Sequence, residues 1–583
     1  MLAIALLGCD SSKSSARPNT PAAGGAAGAA GSAPVGGQAQ AAAGMPPVVV
    51  DEPMGDPYPR SYADPKLTKQ LVTGELYLLG TGMSACTNEL PAPGDRWCAF
   101  ARENASGETE LWVINVSRAL QGSAIQCDET SQHCLRLSAK LWTGTQLWGP
   151  SHPYSHRFDG DTLLFYADAP ADLREPYEGP IYAWRPGWAA ARRITERGVS
   201  CTGQRLSTAV YCIDALDGVF DSDLFAPPEW HSFDLLAGKL DDAAESPLPV
   251  VERIALANGD SQAFRAQILR DGERLAFSSV LAGGTQETLR WVALDAETPP
   301  APAVVIEDAA QWEMAHDGNV AYVLRGYSPE TRLGQLALVD FPSGENVRPV
   351  ATDVLHIDLV GAFDSLLGRT DLGLGYDRAT PEGEAFDFIA DRAQPEAVQT
   401  VAVNIEGQRV SSDGVHTLFH QIAGDGWPVA TVARSDGSGK CTLNTALTAE
   451  TYGSRFTTDG KRVLWVEYGR SGSEEGWSAD PATCQSKVKF GDWVLGYSLS
   501  RDFVIFEGGD EADSTSYLQY AKLPTDPTVT AVTPLVLHEG PRYPFLALEE
   551  GQSTFIVHAR SGDTPEEQGL FVHGPLEDSA PLP

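Results

Sequence analysis

Several common signals are missing from this sequence of 583 residues, and each absence excludes a class of protein. No run of 18 or more apolar residues occurs, so we expect no segment that spans a bilayer after processing. Basic residues are scarce, with 42 Lys and Arg against 78 Asp and Glu, and a formal net charge of −36 would repel a phosphate backbone over most of the surface. We therefore exclude nucleic acid as a partner. Helical periodicity is also missing, which favours an all-β fold.

The N-terminus reads MLAIALLGCDSS, a short apolar run that ends just before Cys9. The residues LLG in front of that cysteine resemble the lipobox of bacterial lipoproteins, in which the cysteine becomes the acylated first residue. The resemblance implies a signal peptide at 1–8, a lipid anchor on Cys9 and a place in the bacterial cell envelope, facing the periplasm or the cell surface. The choice between inner and outer membrane stays open. An uncleaved apolar N-terminus with an ordinary buried cysteine is the alternative.

Residues 10 to about 56 are rich in Ala, Gly, Ser and Pro and almost lack aromatic and large aliphatic side chains. Such a segment cannot bury enough apolar surface to offset the entropy lost on ordering. It predicts a disordered tether, which is what a membrane-anchored domain needs.

Eight cysteines remain when Cys9 is set aside, and an even number fits an oxidising, exported compartment. The sequence alone allows many connectivities, but proximity favours pairing neighbours, and the last pair follows only by elimination. Free thiols are the alternative, and the paired C-x-x-C spacing of a zinc site is absent. The favoured pairs are Cys86 with Cys98, Cys127 with Cys134, Cys201 with Cys212, and Cys441 with Cys484.

A short motif recurs along the chain, in which a turn, usually Asp-Gly, precedes a run of apolar, β-branched and aromatic residues. Ten candidate copies occur, and from residue 271 onward their period is near 47 residues. Each copy predicts an antiparallel sheet of three or four strands with two apolar faces, and such sheets must stack against one another. The clearest copies are FDGDTLLFYAD at 158, DGERLAFSS at 271, DGNVAYVLR at 317, DGVHTLFHQ at 413 and DGKRVLWVE at 459.

A closed ring of four-stranded blades, the β-propeller, buries every such face and has repeats of this length. The segments SRFTTDGKRVLWVEY at 454 and SHRFDGDTLLFYAD at 155 resemble the WD40-like Asp-Gly repeats of TolB-type propellers, which implies the same fold. We predict one ring of about eight blades, within a range of about seven to ten, and two smaller propellers in tandem are the alternative. Residues 74–82, GELYLLGTG, are expected to complete the last blade, unless they form an edge strand elsewhere.

Three parts of the chain follow from these patterns. Residues 1–8 are predicted to be the signal peptide, residues 9–60 the lipidated cysteine with its tether, and residues 70–583 the β-propeller. No recognisable catalytic set accompanies the repeats. A G-x-S-x-G nucleophile elbow is missing, since GYSLS at 496 lacks the final glycine. We therefore predict that the protein is not an enzyme.

Metal and cofactor sites are not predicted either. His416 and His420 share a predicted strand, where their spacing would be about 13 Å. His152 and His156 lie in a loop without a completing set of ligands. Acidic clusters at 217–223 and 510–513 lack the spacing of an EF-hand loop.

Aromatic residues supply the candidate binding positions. Trp142, Trp148 and Tyr154 cluster in LWTGTQLWGPSHPY, a predicted connection between blades, where they could bind sugar rings or partner side chains. Core packing is the alternative. The leading hypothesis is a membrane-anchored, non-catalytic propeller that binds a protein or an envelope component. The alternatives are a propeller lyase or glycosidase that acts on polysaccharide in the central channel, and a glycan-binding protein.

Overall fold

The computed structural model describes residues between 61 and 576 with gaps, the longest of them at 142–155, 168–178, 216–229 and 361–372. Antiparallel strands dominate the described part of the chain. It has one short α-helix, α1 (Val116–Leu120), and a 3₁₀ helix at Pro65–Leu67. None of its helices is long and apolar enough to cross a membrane.

The described strands form ten consecutive groups, which we number in chain order. Two strands precede them, β1 (Ser61–Tyr62) and β2 (Thr68–Thr73). Group 1 holds β3 (Tyr77–Leu78), β4 (Trp97–Glu103), β5 (Thr109–Asn115) and β6 (Cys134–Ser138). Group 2 holds β7 (His156–Asp159), β8 (Thr162–Tyr166), β9 (Gly179–Trp184) and the start of β10 (Arg192–Gly203). Group 3 holds the end of β10, β11 (Ala209–Ala215), β12 (Trp230–Lys239) and β13 (Val250–Ala257).

The next groups follow the same order. Group 4 holds β14 (Ala266–Ile268), β15 (Arg274–Val280), β16 (Glu287–Ala293) and β17 (Ala303–Glu307). Group 5 holds β18 (Gln311–Met314), β19 (Val320–Ser328), β20 (Leu333–Asp340) and the start of β21 (Arg348–Val360). Group 6 holds the end of β21, β22 (Gly373–Thr380), β23 (Gly383–Ile389) and β24 (Gln399–Val403). Group 7 holds β25 (Ile405–Val410), β26 (His416–Ile422), β27 (Pro428–Arg434) and β28 (Cys441–Thr442).

Three groups complete the chain. Group 8 holds β29 (Thr451–Phe456), β30 (Val463–Tyr468), β31 (Glu474–Ala479) and β32 (Val488–Asp492). Group 9 holds β33 (Gly496–Leu499), β34 (Phe503–Asp510), β35 (Thr515–Lys522) and β36 (Leu535–Glu539). Group 10 holds β37 (Phe545–Glu550), β38 (Ser553–Arg560) and β39 (Gly569–His573).

The Asp-Gly pairs form the turns between the first and second strands of several groups. Their aspartates accept a hydrogen bond from the backbone two residues on, as when Glu273 N donates to Asp271 Oδ1 at 2.9 Å and Val415 N donates to Asp413 Oδ1 at 3.0 Å. Their glycines have positive φ, which glycine adopts without steric cost. These glycines are Gly160, Gly272, Gly318, Gly414 and Gly460.

Two long strands join neighbouring groups into larger sheets. The first residues of β10 pair with β9 and its last residues with β11. In the same way β21 pairs first with β20 and then with β22. A short pairing of β13 with β15, Ala255 opposite Val280, also joins groups 3 and 4. With these three junctions the described strands form seven hydrogen-bonded sheets, one of eleven strands and one of seven among them, that contain the ten groups.

Apolar side chains fill the space between successive groups, and group 10 packs on group 1. The cluster at that last contact contains Leu548 and Val557 from group 10 and Phe100 and Trp112 from group 1. Similar clusters join every other pair of neighbours in the described residues. The all-β propeller prediction is confirmed. The predicted number of blades stays a prediction.

The N-terminal segment closes the ring, but through a different strand from the one predicted. Strand β2 pairs antiparallel with β39, from Thr68 opposite His573 to Thr73 opposite Gly569. Residues 74–82 were the wrong choice, since β3 inside that range pairs with β4 in group 1. GELYLLGTG is rich in apolar residues, which favoured it as the closing strand. TKQLVT takes that role instead, and only its Leu71 and Val72 enter the core. Strand β1 adds, in parallel, a fifth strand to group 9.

Four disulfides link residues of the described part of the chain. They join the same pairs of cysteines that the sequence analysis favoured. Three of them lie within single groups or at their entry. The fourth connects group 7 to group 8. The pairs are Cys86–Cys98, Cys127–Cys134, Cys201–Cys212 and Cys441–Cys484.

Candidate functional site

The first strands of the groups line the centre of the propeller. Gln311 on β18 exchanges two hydrogen bonds with the backbone of Ile357, which lies in the part of β21 that opens group 6. Direct contact between the first strands of neighbouring groups places these strands at the inner edge of the ring. Polar and charged side chains on them therefore border the central channel of the fold.

One charged set, the mixed-charge cluster, comprises Arg265, Glu313 and His356 at the inner edge and Glu287 at the start of the third strand of group 4, β16. Arg265 Nη1 lies 3.8 Å from Glu313 Oε1, which joins group 4 to group 5. The charge of Arg265 also acts on His356, which belongs to group 6. Groups 4 and 6 are separated by group 5 and approach each other only near the axis. Arg265, Glu313 and His356 therefore border the channel, and Glu287 lies further out on β16, within reach of the charge of Arg265.

The two carboxylates of this cluster have different surroundings. Burial raises the pKa of Glu287, while a hydrogen bond from Ser278 and the charge of Arg265 oppose that rise. Glu287 Oε2 is buried and has no hydrogen-bond partner among the described residues. Glu313 instead pairs with Arg265. Two carboxylates held in unlike environments are the arrangement that separates a general acid from a general base.

The histidine of the cluster is exposed, yet partial desolvation lowers its pKa, as expected inside a concave space. The nearby positive charge of Arg265 lowers that pKa further. His356 is therefore neutral at pH 7 and can accept a proton or a hydrogen bond.

A second set, the arginine pair, comprises Arg409 on β25 and Arg455 on β29. The guanidinium carbon of Arg455 lies 4.1 Å from the ring centre of Tyr497 on β33, and its Nη2 donates to the carbonyl oxygen of Tyr497. The Nε of Arg455 is buried without a partner among the described residues. Arg409 is exposed and has no ion pair with any residue of the described segments.

Tyr497 packs against Arg455, and the charges of both arginines affect the pKa of its hydroxyl. Burial raises the pKa of Tyr497, while the charges of Arg455 and Arg409 oppose that rise. Arg409 belongs to group 7 and Tyr497 to group 9, so the influence of one on the other passes across group 8. Arg409 and Arg455 lie on the first strands of successive groups, each four residues before an Asp-Gly turn, which places both near the axis. The arginine pair is thus a local positive site in a chain with a net charge of −36.

The candidate residues singled out in the sequence are not part of either set. Cys9, Trp142, Trp148 and Tyr154 lie outside the described residues, as do the acidic cluster at 217–223 and the side chains of the cluster at 510–513. His152 and the side chain of His156 also lie outside them. In the described part of the chain, no group of three or more His, Cys, Asp or Glu residues is placed to hold a metal ion.

Several tryptophans of the described strands are packed in the core. Trp184 and Trp188 are buried, and Trp184 Nε1 donates to the carbonyl of Trp188 at 3.0 Å. Trp112 and Trp465 are buried as well, and Trp291 packs on the cluster between groups 4 and 5.

Sequence reasoning missed the inner charges, although a signal for them exists. Glu313, Arg409 and Arg455 each stand four residues before the aspartate of an Asp-Gly turn. Gln267 takes the same position in group 4. A polar residue recurring at one position of the first strand, amid otherwise apolar repeats, indicates a side chain that faces the channel.

Comparisons with known proteins bear on the fold. No protein-family model matches the sequence, and no curated protein matches it. Among solved structures, a puromycin-hydrolyzing peptidase from Mycobacterium tuberculosis is similar over 66% of this chain and 58% of its own, with 13% identity and a TM-score of 0.30. The β-propeller domain of the Trilobed protease from Pyrococcus furiosus matches over 54% and 89%, with 11% identity and a TM-score of 0.29. TolB from Acinetobacter baumannii matches over 54% and 77%, with 12% identity and a TM-score of 0.24.

These likenesses support a propeller and transfer no activity, and this chain spans less than two thirds of the length of the peptidase. They do correct one expectation. The prediction that the protein is not an enzyme is wrong as an exclusion, because a peptidase is among the matching structures. The missing nucleophile elbow therefore does not exclude a catalytic function. The mixed-charge cluster contains groups that could act as acid and base.

Proposed function

We propose that this protein is a lipid-anchored propeller of the bacterial cell envelope that binds an envelope component or a protein through its inner strands. The polar and charged side chains on the inner strands of groups 4 to 8 carry the proposal. A channel lined by such groups selects a ligand by charge and hydrogen bonding, whereas the space between groups is filled by apolar side chains.

The proposed location rests on separate observations. The LLG sequence before Cys9 and the Ala- and Gly-rich segment after it fit an acylated anchor with a tether. Four disulfides in the described residues fit an oxidising compartment. The N-terminal strands join the propeller at groups 9 and 10, so the tether would enter beside the ring closure.

A photo-cross-linking experiment in whole cells tests the proposal. A photoreactive residue replaces Gln267 on the inner strand β14, and in a second variant it replaces Val304 on the outer strand β17 of the same group. Val304 is 49% exposed, so both positions can reach a ligand if one is present. We expect a covalent adduct at position 267 and none at position 304.

Both positions belong to group 4, so the two variants differ in whether the photoreactive residue lies at the inner or the outer edge of the ring. Equal adducts at both positions, or none at position 267 in cells that express the protein, would remove the inner strands as the binding surface. A Cys9→Ser variant tests the anchor separately, because it should release the protein from the membrane fraction.

A second candidate function, a lyase or glycosidase acting on polysaccharide in the channel, is favoured by the unlike carboxylates Glu287 and Glu313. Turnover by such a pair needs both groups. If envelope polysaccharide is cleaved by the wild-type protein, Glu287→Gln and Glu313→Gln should each reduce kcat by a factor of about 100 or more. A variant Glu345→Gln, at an exposed turn, should leave the rate unchanged.

A further inference from the structure

We propose that the arginine pair, Arg409 and Arg455, receives the anionic groups of an acidic glycan oligomer. The inference deepens the proposed function and rests on it, because it names the chemistry of the ligand at the inner strands.

The first argument is the unmet bonding of Arg455. A guanidinium group has five N–H donors in a planar fork, and burial of any of them without an acceptor is costly. Arg455 donates to the carbonyl of Tyr497 and packs over its ring, but its buried Nε has no partner among the described residues. A ligand does not reach the buried Nε, but an anionic oxygen in the channel would supply a charge-assisted acceptor for those Nη donors of the fork that do not bind Tyr497.

The second argument is the contrast with other arginines of the described segments. Many of them pair with carboxylates, as Arg378 does with Asp387 at 2.6 Å and Arg434 with Asp436 at 3.6 Å. Acidic residues outnumber basic ones, 78 to 42, so carboxylates are plentiful. Arg409 and Arg455 have no carboxylate partner among the described residues, and their place on inner strands leaves them able to bind an outside anion.

The third argument concerns placement. Arg409 and Arg455 occupy equivalent positions of successive groups, four residues before an Asp-Gly turn, and both act on Tyr497. Two guanidinium groups at one part of the channel can each bind an oxyanion. An oligomer with repeated oxyanions therefore fits them better than a single small ion does. Both arginines are on inner strands, so a thin chain reaches them more readily than a folded protein does.

The overall negative charge does not prevent this binding. At physiological ionic strength, charges on the outer surface are screened beyond about 8 Å. Nearby guanidinium groups therefore dominate the potential that a ligand meets at the inner strands. Carboxylate and phosphate both fit the fork, and the experiment separates them.

Binding is measured by calorimetry on the protein with three short dextran oligomers that share one backbone: unmodified, carboxymethylated and phosphorylated. We expect at least one charged oligomer to bind more tightly than unmodified dextran, and to weaken as salt is raised. The form that binds identifies the anion. Arg409→Gln should weaken that binding by about tenfold or more, as loss of a charge-assisted hydrogen bond does.

Matched variants keep the test independent of folding. Arg409 has no hydrogen bond or ion pair to a described residue, so its substitution leaves the packing intact. Arg434→Gln, in the same group but on the third strand β27, removes an equal charge and should change affinity less than about twofold. Arg455→Lys keeps the charge and loses the fork, and should bind with intermediate affinity.

Three results would overturn the proposal: no charged oligomer binds more tightly than unmodified dextran, Arg409→Gln and Arg434→Gln bind alike, or an acidic peptide of poly-glutamate binds as tightly as the charged dextrans. An adduct at position 267 in the cross-linking experiment, together with any of these results, would retain the proposed function and reject only the acidic glycan.

Discussion

The residues that pack beneath the ring closure include three histidines, His538, His558 and His573, which we name the histidine cluster. His573 is fully buried, with Nδ1 at 2.7 Å from Thr68 Oγ1 on the closing strand and Nε2 at 3.4 Å from the hydroxyl of Tyr520. His558 is fully buried against the ring of Phe571, and neither of its ring nitrogens has a partner among the described residues. The cluster thus lies where groups 9 and 10 meet the N-terminal strands.

Burial sets the charge state of these histidines. It lowers the pKa of His538 and of His573 to about 4, and lowers the pKa of His558 well below its ordinary value. The positive charge of Arg560 acts in the same direction on all three, whereas Glu539 and Asp64 weakly oppose it at His538 and His573. All three are therefore neutral in the folded protein at pH 7.

The free energy of unfolding should fall as the pH falls from 7 to 5. In that range the unfolded chain binds protons at its histidines, with pKa near 6.5, while the folded protein does not, so protons favour unfolding. Each buried histidine of the cluster contributes at most about 2 kcal/mol between these pH values. Urea denaturation at several pH values measures the effect.

A substitution assigns that dependence to the cluster. His558→Phe fills the site with an aromatic ring that cannot be protonated, so it should flatten the slope between pH 5 and 7. If His558→Phe keeps the wild-type slope, the histidine cluster is not its source.

At the scale of elements, the sequence predicted the strands that follow Asp-Gly turns, because that dipeptide has a specific backbone requirement. It could not place the closing strand. TKQLVT pairs with β39 through backbone hydrogen bonds that any sequence can make, and only Leu71 and Val72 are buried. The inner charges were missed for a related reason. Arg265 and His356 come together through the ring rather than along the chain.

A single glycine lets the closing strand approach β39. Gly569 has φ of +146°, and a Cβ at this position would overlap with the carbonyl oxygen of Val72. Gly569→Ala should therefore separate the two strands and lower the stability by about 2 kcal/mol or more, measured as a lower denaturation midpoint.

Gly74→Ala provides the control for backbone strain alone. Gly74 also has positive φ, +100°, but a Cβ there meets no atom within 4 Å. Its substitution adds strain without separating strands, and should cost about 1 kcal/mol. Equal losses in the two variants would contradict a steric role of Gly569 at the closure.

At the scale of the whole molecule, the repeat period and the apolar faces of the repeats were enough to predict a ring. They did not fix the number of groups, because strands β10 and β21 each serve two groups and so blur the boundary between repeats. One weak copy of the motif, GQRLSTAVYCID at 203, begins at the last residue of the shared strand β10. A long strand replaces the turn that would otherwise mark a new repeat.

Removing the N-terminal strands should destabilise the entire ring rather than one part of it. A protein that begins at residue 75 loses β1 and β2, exposes β39 and uncovers part of the cluster between groups 10 and 1. Loss of the buried side chains of Leu71 and Val72 alone costs roughly 3 to 6 kcal/mol. Because each group is stabilised by its neighbours on both sides, calorimetry should show one transition at a lower temperature.

A protein that begins at residue 61 is the control and should melt like the full chain. A separate low-temperature transition in the protein that begins at residue 75 would mean that the ring does not unfold as a unit.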